Sequence, residues 1–568
     1  MEHPQKLALV LDDQSLTYAE LLHSSQLLAH HLTDRCQIQP DDIVAQCVDR
    51  SIEMIIGILS ILMSGASYCP LSPNQPSARL LSLIEQVKAK CVLSPASYAQ
   101  VTVWLSERTR FFDWPKLLPT YNMSKIFKID SGYLLINQLL RAIDSIVAKH
   151  WIFRTQLMFD AKSGLLRQSI HDRFTYPIRI STINDEQEQA KLLHEEMWTP
   201  FDTEHDGVFR CHLIQYDHNH QKDRLSNGDL VVFYFHHGSF DGRAIDLFLG
   251  ELKVAYSGGE LQSPCLQYID YSFHERKLAM TEARNYWSEL LQDYGWDRQL
   301  NLGGTKKPMS ARRTSRGEQL TVAVPSTVAH SMILSAHQLN VTLFQLGLTC
   351  FYLFLTQISF NNRDACIGVI HMNRYRPEIA SMIGMFVNIL PCRIRQIDLD
   401  QLSFIELVHK VQQTFLTSVQ HAHLPYDELI NLHRIPTTHL QFPYLQTLFS
   451  VDTILIDYIN MDNILLGDSC YLSNYKTNEK DLEIGYKFDL DVSFAYDKRT
   501  TTINCTWAYM FDVFERETIQ QHANSFIELL TQLFGSTRAE QLQLPLGEII
   551  TLDKNKADND NQVTTLTN

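Results

Sequence analysis

Two adjacent histidines, His236 and His237, open the run HHGSFDG at residues 236–242, with Asp241 and Gly242 closing it. An imidazole titrates near neutrality, so it can accept a proton from an attacking amine or, held in one tautomer, donate a hydrogen bond that orients the amine. A histidine pair can equally be metal-binding or plain polar surface. Metal binding needs a third and usually a fourth ligand, and the sequence offers neither an HExxH nor a nearby Cys/His cluster.

The flanking residues decide how the pair is presented. LVVFYF, residues 230–235, is a continuous apolar run of strand length, the pattern of a buried strand. Side chains alternate across a strand, so His237 continues the face of Phe233 and Phe235 while His236 continues that of Val232 and Tyr234. Only one of the two can face a given cavity. Past Asp241 and Gly242, RAIDLFLGELKVAYSGG reads as an amphipathic helix closed by Gly258 and Gly259. The histidines therefore sit on a strand-to-helix turn, and Gly238 and Gly242 are expected to permit its sharp backbone path.

At 568 residues the chain calls for more than one compact unit. A hydrophobic share of 45% and a charged share of 20% describe a globular protein with packed interiors. The formal net charge of −15 repels polyanions and anionic membranes, which argues against nucleic-acid and membrane partners. Eleven scattered cysteines with no CxxC pair read as reduced thiols, not a disulfide frame or zinc site. The N-terminus lacks the long apolar stretch of a signal peptide, and the longest apolar run, Met54 to Met63, is too short to span a bilayer. The expected location is the cytoplasm.

From Ser97 onward, landmarks follow one another in a fixed order: SYAQVTVWL at 97–105, HWIFRTQLMFD with Arg154 and Thr155, HHGSFDG, YIDYSFHERKLAMTEARNYW, NVTLFQLGLTCFYLFLTQIS, HMNRYRPEIASMIGMFVNILPCRI and HLPYDELI. In content and order this series resembles the condensation domain of nonribosomal peptide synthetases, across about residues 96 to 537. The resemblance implies two chloramphenicol-acetyltransferase-like α/β lobes, 96–275 and 276–537, set as a V-shaped pseudo-dimer with the active tunnel between them. It implies an acyltransferase that forms an amide between a donor acyl or peptidyl thioester and an acceptor aminoacyl group. Both substrates would arrive on 4'-phosphopantetheine arms of peptidyl carrier proteins, with adenylation modules as further partners and no cofactor or metal held by the chain itself.

By the same resemblance His237 is the catalytic histidine, as base or as positioning group. His236, Gly238 and Gly242 belong to the supporting turn. Asp241 is structural and braces the turn through an arginine of NRYRPE, Arg376 before Arg374. Asn388 is a candidate tunnel-lining residue. Epimerisation domains share HHxxxDG, and a catalytically silent carrier-docking module is the alternative from outside enzymes; heterocyclising relatives, with paired aspartates, are excluded by the intact histidines.

Residues 6–94 alternate strands and helices: LALVLDD, a helix from Tyr18 to Leu32, IVAQCV, a helix from Ser51 to Met63, and SYCPLSP. This is the βαβ pattern of a parallel sheet. LTYAELLHSSQLLAHHL and LMSGASYCPLSPNQPSARLLSLI resemble the start of an adenylation (AMP-binding) domain. The expectation for residues 1–94 is a small, partial α/β segment without adenylating activity, since the Ser/Thr/Gly-rich phosphate loop that would cradle ATP is missing downstream. KKPMSARRTSR at 306–316 reads as a solvated connector, LGGTKK at 302–307 lacks a carrier domain's arm-bearing serine, and 538–568 is expected to be a linker ending in a disordered polar tail.

Overall fold

The computed structural model describes residues 3–546 except 111–118, 161–164, 172–175, 218–222, 295–313, 359–363, 396–400, 434–444, 455–457, 464–467, 475–484 and 536–545, and except residues 12, 13, 35, 49, 74, 76–78, 80–82, 85 and 206. The LGGTKK segment, most of the basic run after it and the polar tail lie outside the described residues. Two compact units emerge. The first takes Met1–Ala279, Met372–Val387 and Ile456–Thr477; the second takes Met280–His371, Asn388–Leu455 and Asn478–Asn568.

Along the first unit, β1 (Cys91–Pro95) leads into α1 (Tyr98–Arg110), β2 (Asn122–Ser131), β3 (Leu165–His171), β4 (Leu230–His236) and α2 (Gly242–Tyr256). A six-stranded sheet runs in the order Ile178–Ile183, Phe209–Tyr216, β4, β2, Asp468–Asn474, Tyr458–Asn463. β4 pairs antiparallel with β2 from Leu230↔Lys128 to His236↔Asn122, which places the first histidine at the last rung of the ladder. The strand Asp468–Asn474 pairs antiparallel with the other edge of β2, which is why a stretch far along the chain joins this unit.

Of the strands before β1, Leu7–Leu11 pairs antiparallel with Gln14–Thr17 in a two-stranded sheet of its own, so LALVLDD does not join the parallel sheet expected of it, while the others do not form a separate sheet. Ile43–Cys47 pairs parallel with Ser67–Leu71 and with β1, as the alternation of strands and helices predicts. β1 then pairs antiparallel with β3, from Cys91↔His171 to Pro95↔Arg167, and β3 with Thr155–Asp160. The result is one five-stranded sheet that runs through positions 94–96. Its apolar core is shared as well: Ala45, Cys47, Leu71 and Val92 pack with Ile170 and Ile269, and half-buried Trp151 and Phe273 lie against them.

Helix α1 explains the SYAQ landmark physically. Ser97 Oγ accepts from the Gln100 backbone N–H at 3.0 Å, and Gln100 Oε1 accepts from the Ser97 N–H at 2.8 Å. This reciprocal capping box satisfies two orphan donors at the helix start. Glu275, 5% exposed, takes a third donor, the Tyr98 N–H, at 2.6 Å. Burial pushes the Glu275 carboxyl up to about 7, although the Tyr98 N–H and the neighbouring Arg276 and Tyr271 pull it the other way. Ser97 also meets the Tyr268 hydroxyl at 2.8 Å, and that hydroxyl donates to the Met385 carbonyl.

The second unit is a six-stranded mixed sheet in the order Gly317–Ala323, Thr502–Met510, Leu490–Asp497, Thr447–Ile454, Ala365–His371, Asn388–Ile394. The apolar run expected to be a buried helix is one, Leu343–Ile358, with every residue from Gln345 to Thr356 buried. Its Phe351 and Phe354 meet Trp507 and Phe526 edge-on or tilted at 5.3–6.2 Å between ring centroids. Such aromatic packing supplies much of a core's burial energy.

Candidate functional site

All seven residues of β4 are buried, and its two faces pack against different material. Phe233 and Phe235 join Phe209, Phe240 and Phe248 in one core, while Val232 and Tyr234 join Ile126 and Phe201 in another. His236 completes the second face: it is 0% exposed and its ring stands edge-on to Phe201 at 5.7 Å. His237 is the half-buried member of the pair and stands edge-on to Tyr121 at 6.2 Å. The alternation read from the sequence is thus the arrangement in the fold, with one histidine enclosed and the next one accessible.

Backbone bonds hold both residues. His236 N–H donates to the Val208 carbonyl at 2.9 Å and His237 N–H to the Tyr121 carbonyl at 2.8 Å. The chain then folds back, because the Ser239 and Phe240 N–H groups both donate to the His236 carbonyl, at 2.9 and 3.2 Å. Asp241 caps α2 by accepting from the Ala244 N–H at 2.7 Å. An Asp at this position stabilises a helix by about 1 kcal/mol over alanine.

Asp241 does more than cap. It is 0% exposed, and both of its oxygens accept from Arg374 Nη2, at 2.9 and 3.1 Å, while Oδ2 also accepts from the Phe386 N–H at 3.2 Å. Arg374 Nη1 in turn donates to the Ile379 and Met382 carbonyls, each at 2.7 Å, and the guanidinium lies over the Phe386 ring at 4.2 Å. The expected ion pair is present with its partners in the other order. Arg376 is exposed at the start of the short helix Pro377–Ala380, so Arg374 alone enters the carboxylate's pocket.

The glycines depart from expectation too. Neither Gly238 nor Gly242 has a positive φ, so the turn does not need left-handed backbone at either residue. Gly238 is required by close approach instead: a Cβ there would lie 2.9 Å from His236 Nδ1 and 3.0 Å from its Cε1. A Cβ on Gly242 would meet nothing within 4 Å. Gly238→Ala should therefore displace the His236 ring while leaving the protein folded. Comparing the His236 ring signals in histidine-labelled NMR spectra with circular dichroism of the same sample checks this; unchanged ring signals in the variant contradict it.

Asn388, the expected lining residue, stands at the start of Asn388–Ile394 in the second unit. Its amide donates to the Ala422 and Leu424 carbonyls at 2.8 and 2.7 Å, which commits the side chain to bracing its own unit. Glu107 has no place in the sequence motifs, yet it reaches the histidine turn. This α1 carboxylate is 3% exposed, and its Oε2 lies 3.3 Å from His236 Nε2. Among the described residues no group of three or more His, Cys, Asp or Glu side chains could hold a metal ion, and no single helix is long and apolar enough to cross a membrane.

Comparison with known proteins agrees with this geometry. The condensation domain family model matches residues 107–550, well over half of the chain, and the AMP-binding enzyme model matches residues 1–112. The chain is 24% identical over 468 residues to surfactin synthase subunit 2 of Bacillus subtilis, covering 80% of this chain and 12% of that protein. It is 24% identical over 433 residues to tyrocidine synthase 2 of Brevibacillus parabrevis, covering 75% of this chain and 11% of that one. The chain thus spans about a tenth of the length of these curated relatives. Among solved structures, a four-domain nonribosomal peptide synthetase bound to AMP and glycine matches with a TM-score of 0.68 at 17% identity, over 82% of this chain and 34% of that one. The condensation domain of a monacolin K polyketide synthase matches with a TM-score of 0.65 at 18% identity, over 80% and 99%. These structural likenesses carry the fold, which is the mixed α/β fold of condensation domains.

Proposed function

Because this chain belongs to the condensation domain family, we propose that it forms an amide bond between a donor acyl or peptidyl thioester and an acceptor aminoacyl group. Each substrate is carried on the phosphopantetheine arm of a peptidyl carrier protein and loaded by partner adenylation modules. The observation that supports this most is the unequal treatment of the two histidines: His236 is sealed into the core, while His237, one residue on, is half-buried on a turn fixed by backbone bonds and by Asp241.

In the reaction, the acceptor amine nitrogen attacks the thioester carbonyl carbon. His237 accepts the amine proton, or orients the amine by a hydrogen bond as the proton leaves. The tetrahedral adduct then expels the donor thiolate, the C–S bond breaks, and the proton passes to that sulfur. No serine or cysteine nucleophile is required, since the acyl group arrives already activated. Residues 1–94 do not adenylate. The ten cysteines with described side chains are free thiols, the state that a reducing cytoplasmic setting maintains.

The test is reconstitution with an acyl-loaded donor carrier and an aminoacyl-loaded acceptor carrier, the product being weighed on the acceptor arm. Wild type makes the condensed product, and His237→Ala lowers the rate by about 10² to 10⁴ with an unchanged melting curve. Equal rates for the two proteins refute the role of His237. Carrier binding with no product from any loaded pair identifies a docking module, and isotope exchange at the substrate α-carbon identifies an epimerase.

A further inference from the structure

The enclosed histidine has two ring nitrogens with two different neighbours. His236 Nδ1 accepts a hydrogen bond from the Gly238 N–H at 3.2 Å, so in the neutral ring the proton belongs on Nε2. Nε2 faces Glu107 Oε2 at 3.3 Å. Both partners are sealed off, His236 at 0% and Glu107 at 3% exposure. Burying a carboxylate is costly unless a donor meets it. Among the described residues neither Glu107 Oε1 nor His236 Nε2 has a hydrogen-bond partner, so two buried polar groups face each other across the 3.3 Å approach of Oε2 to Nε2 with no other group to serve.

The preceding residue of α1 reaches the other histidine. Ser106 Oγ accepts from the Tyr121 hydroxyl at 2.7 Å, and the Tyr121 carbonyl holds the His237 N–H. Val103, one turn before Glu107 on the same helix, is the next group a Cβ on Gly238 would meet, at 3.6 Å. One helix face therefore backs the whole histidine turn.

We propose that Glu107 is a positioning residue for the condensation reaction: its carboxylate fixes His236 as the Nε2–H tautomer, and that ring, bonded to the Gly238 amide, sets the peptide path that aims His237. The kinetic part of this proposal rests on the condensation reading; the tautomer does not.

Two substitutions and one spectrum test it. Glu107→Gln keeps an acceptor oxygen for Nε2–H, whereas Glu107→Met keeps the volume and removes the acceptor. In the loaded-carrier assay Glu107→Gln stays within about threefold of wild type, and Glu107→Met loses about 30- to 100-fold in kcat with KM for both carriers within about twofold. Combining Glu107→Met with His236→Met costs no more than the worse single change, because the carboxylate acts only through the ring. In ¹⁵N-histidine spectra of the full chain, wild-type His236 shows the Nε2–H tautomer, which Glu107→Met weakens and Glu107→Gln retains. A wild-type ring protonated on Nδ1, a Met variant at full rate, or a Gln variant as slow as the Met variant each overturns the proposal. If wild type makes no product, the condensation reading fails, and the spectra alone still decide the tautomer.

Discussion

Asp241→Ala is expected to unfold about 3–5 kcal/mol more easily than wild type, the range for breaking a buried ion pair by removing one partner, and to make no measurable condensed product. The size of the effect follows from what the carboxylate satisfies. Alanine leaves the Ala244 N–H at the start of α2, the Phe386 N–H and Arg374 Nη2 without their acceptor, all inside the protein. The guanidinium, with its side chain 6% exposed, becomes a buried cation whose remaining bonds are to carbonyls. Asp241→Asn keeps the shape and one acceptor oxygen for the helix cap but turns an N–H group toward Arg374, so it should fall between alanine and wild type. Urea unfolding of the histidine-bearing unit, read beside the carrier assay, checks both effects. A stability loss under about 1 kcal/mol for Asp241→Ala would show that the Arg374 pair contributes little and that the turn is held by its backbone bonds.

What the sequence revealed and what it hid differ by a physical criterion. Signals carried by neighbours along the chain were legible: the apolar run of β4, the helix that follows Asp241 and Gly242, the alternation that separates His236 from His237, and the helix Leu343–Ile358. The choice between Arg374 and Arg376 was not, because two arginines two residues apart in an irregular loop have no periodicity to assign a face. The fold decides through the carbonyls of Ile379 and Met382, which capture the first. Glu107 did leave a trace. Gln100, Val103, Trp104 and Glu107 recur at helical spacing and are all buried, so a carboxylate on an apolar stripe marked a charge in need of a partner. The partner itself, 129 positions away in the chain, leaves no such trace. Strand partners are hidden for the same reason: the insertion of Asp468–Asn474 beside β2 and the join of β1 to β3 depend on long-range hydrogen bonds that alternation does not encode.

That join carries the second large effect. A chain begun at Ala96 is expected to aggregate, or to melt more than about 10 °C below the full chain. Without β1, β3 loses the partner it has from His171 to Arg167 and becomes an open edge, which is a template for pairing with other chains. The shared core opens as well. Ile170, 4% exposed, and Ile269, 6% exposed, lose Val92, Leu71, Cys47 and Ala45 as cover. At about 1.5–3 kcal/mol for each large apolar side chain returned to water, those two alone lower stability by several kcal/mol. For a unit of this size each kcal/mol shifts the midpoint by about 2–4 °C. Size-exclusion chromatography and thermal melts of the two chains measure the difference, and limited proteolysis of the full chain should spare the peptide between β1 and α1. A monodisperse shortened chain with an unchanged melt would mean that residues 1–94 are merely appended. The expected result instead makes them part of the scaffold: the adenylation-like strands complete the sheet and the core against which the helix Tyr268–Arg276 packs through Ile269 and Phe273, and Tyr268 ties α1 to the Met385 carbonyl beside the Asp241 network.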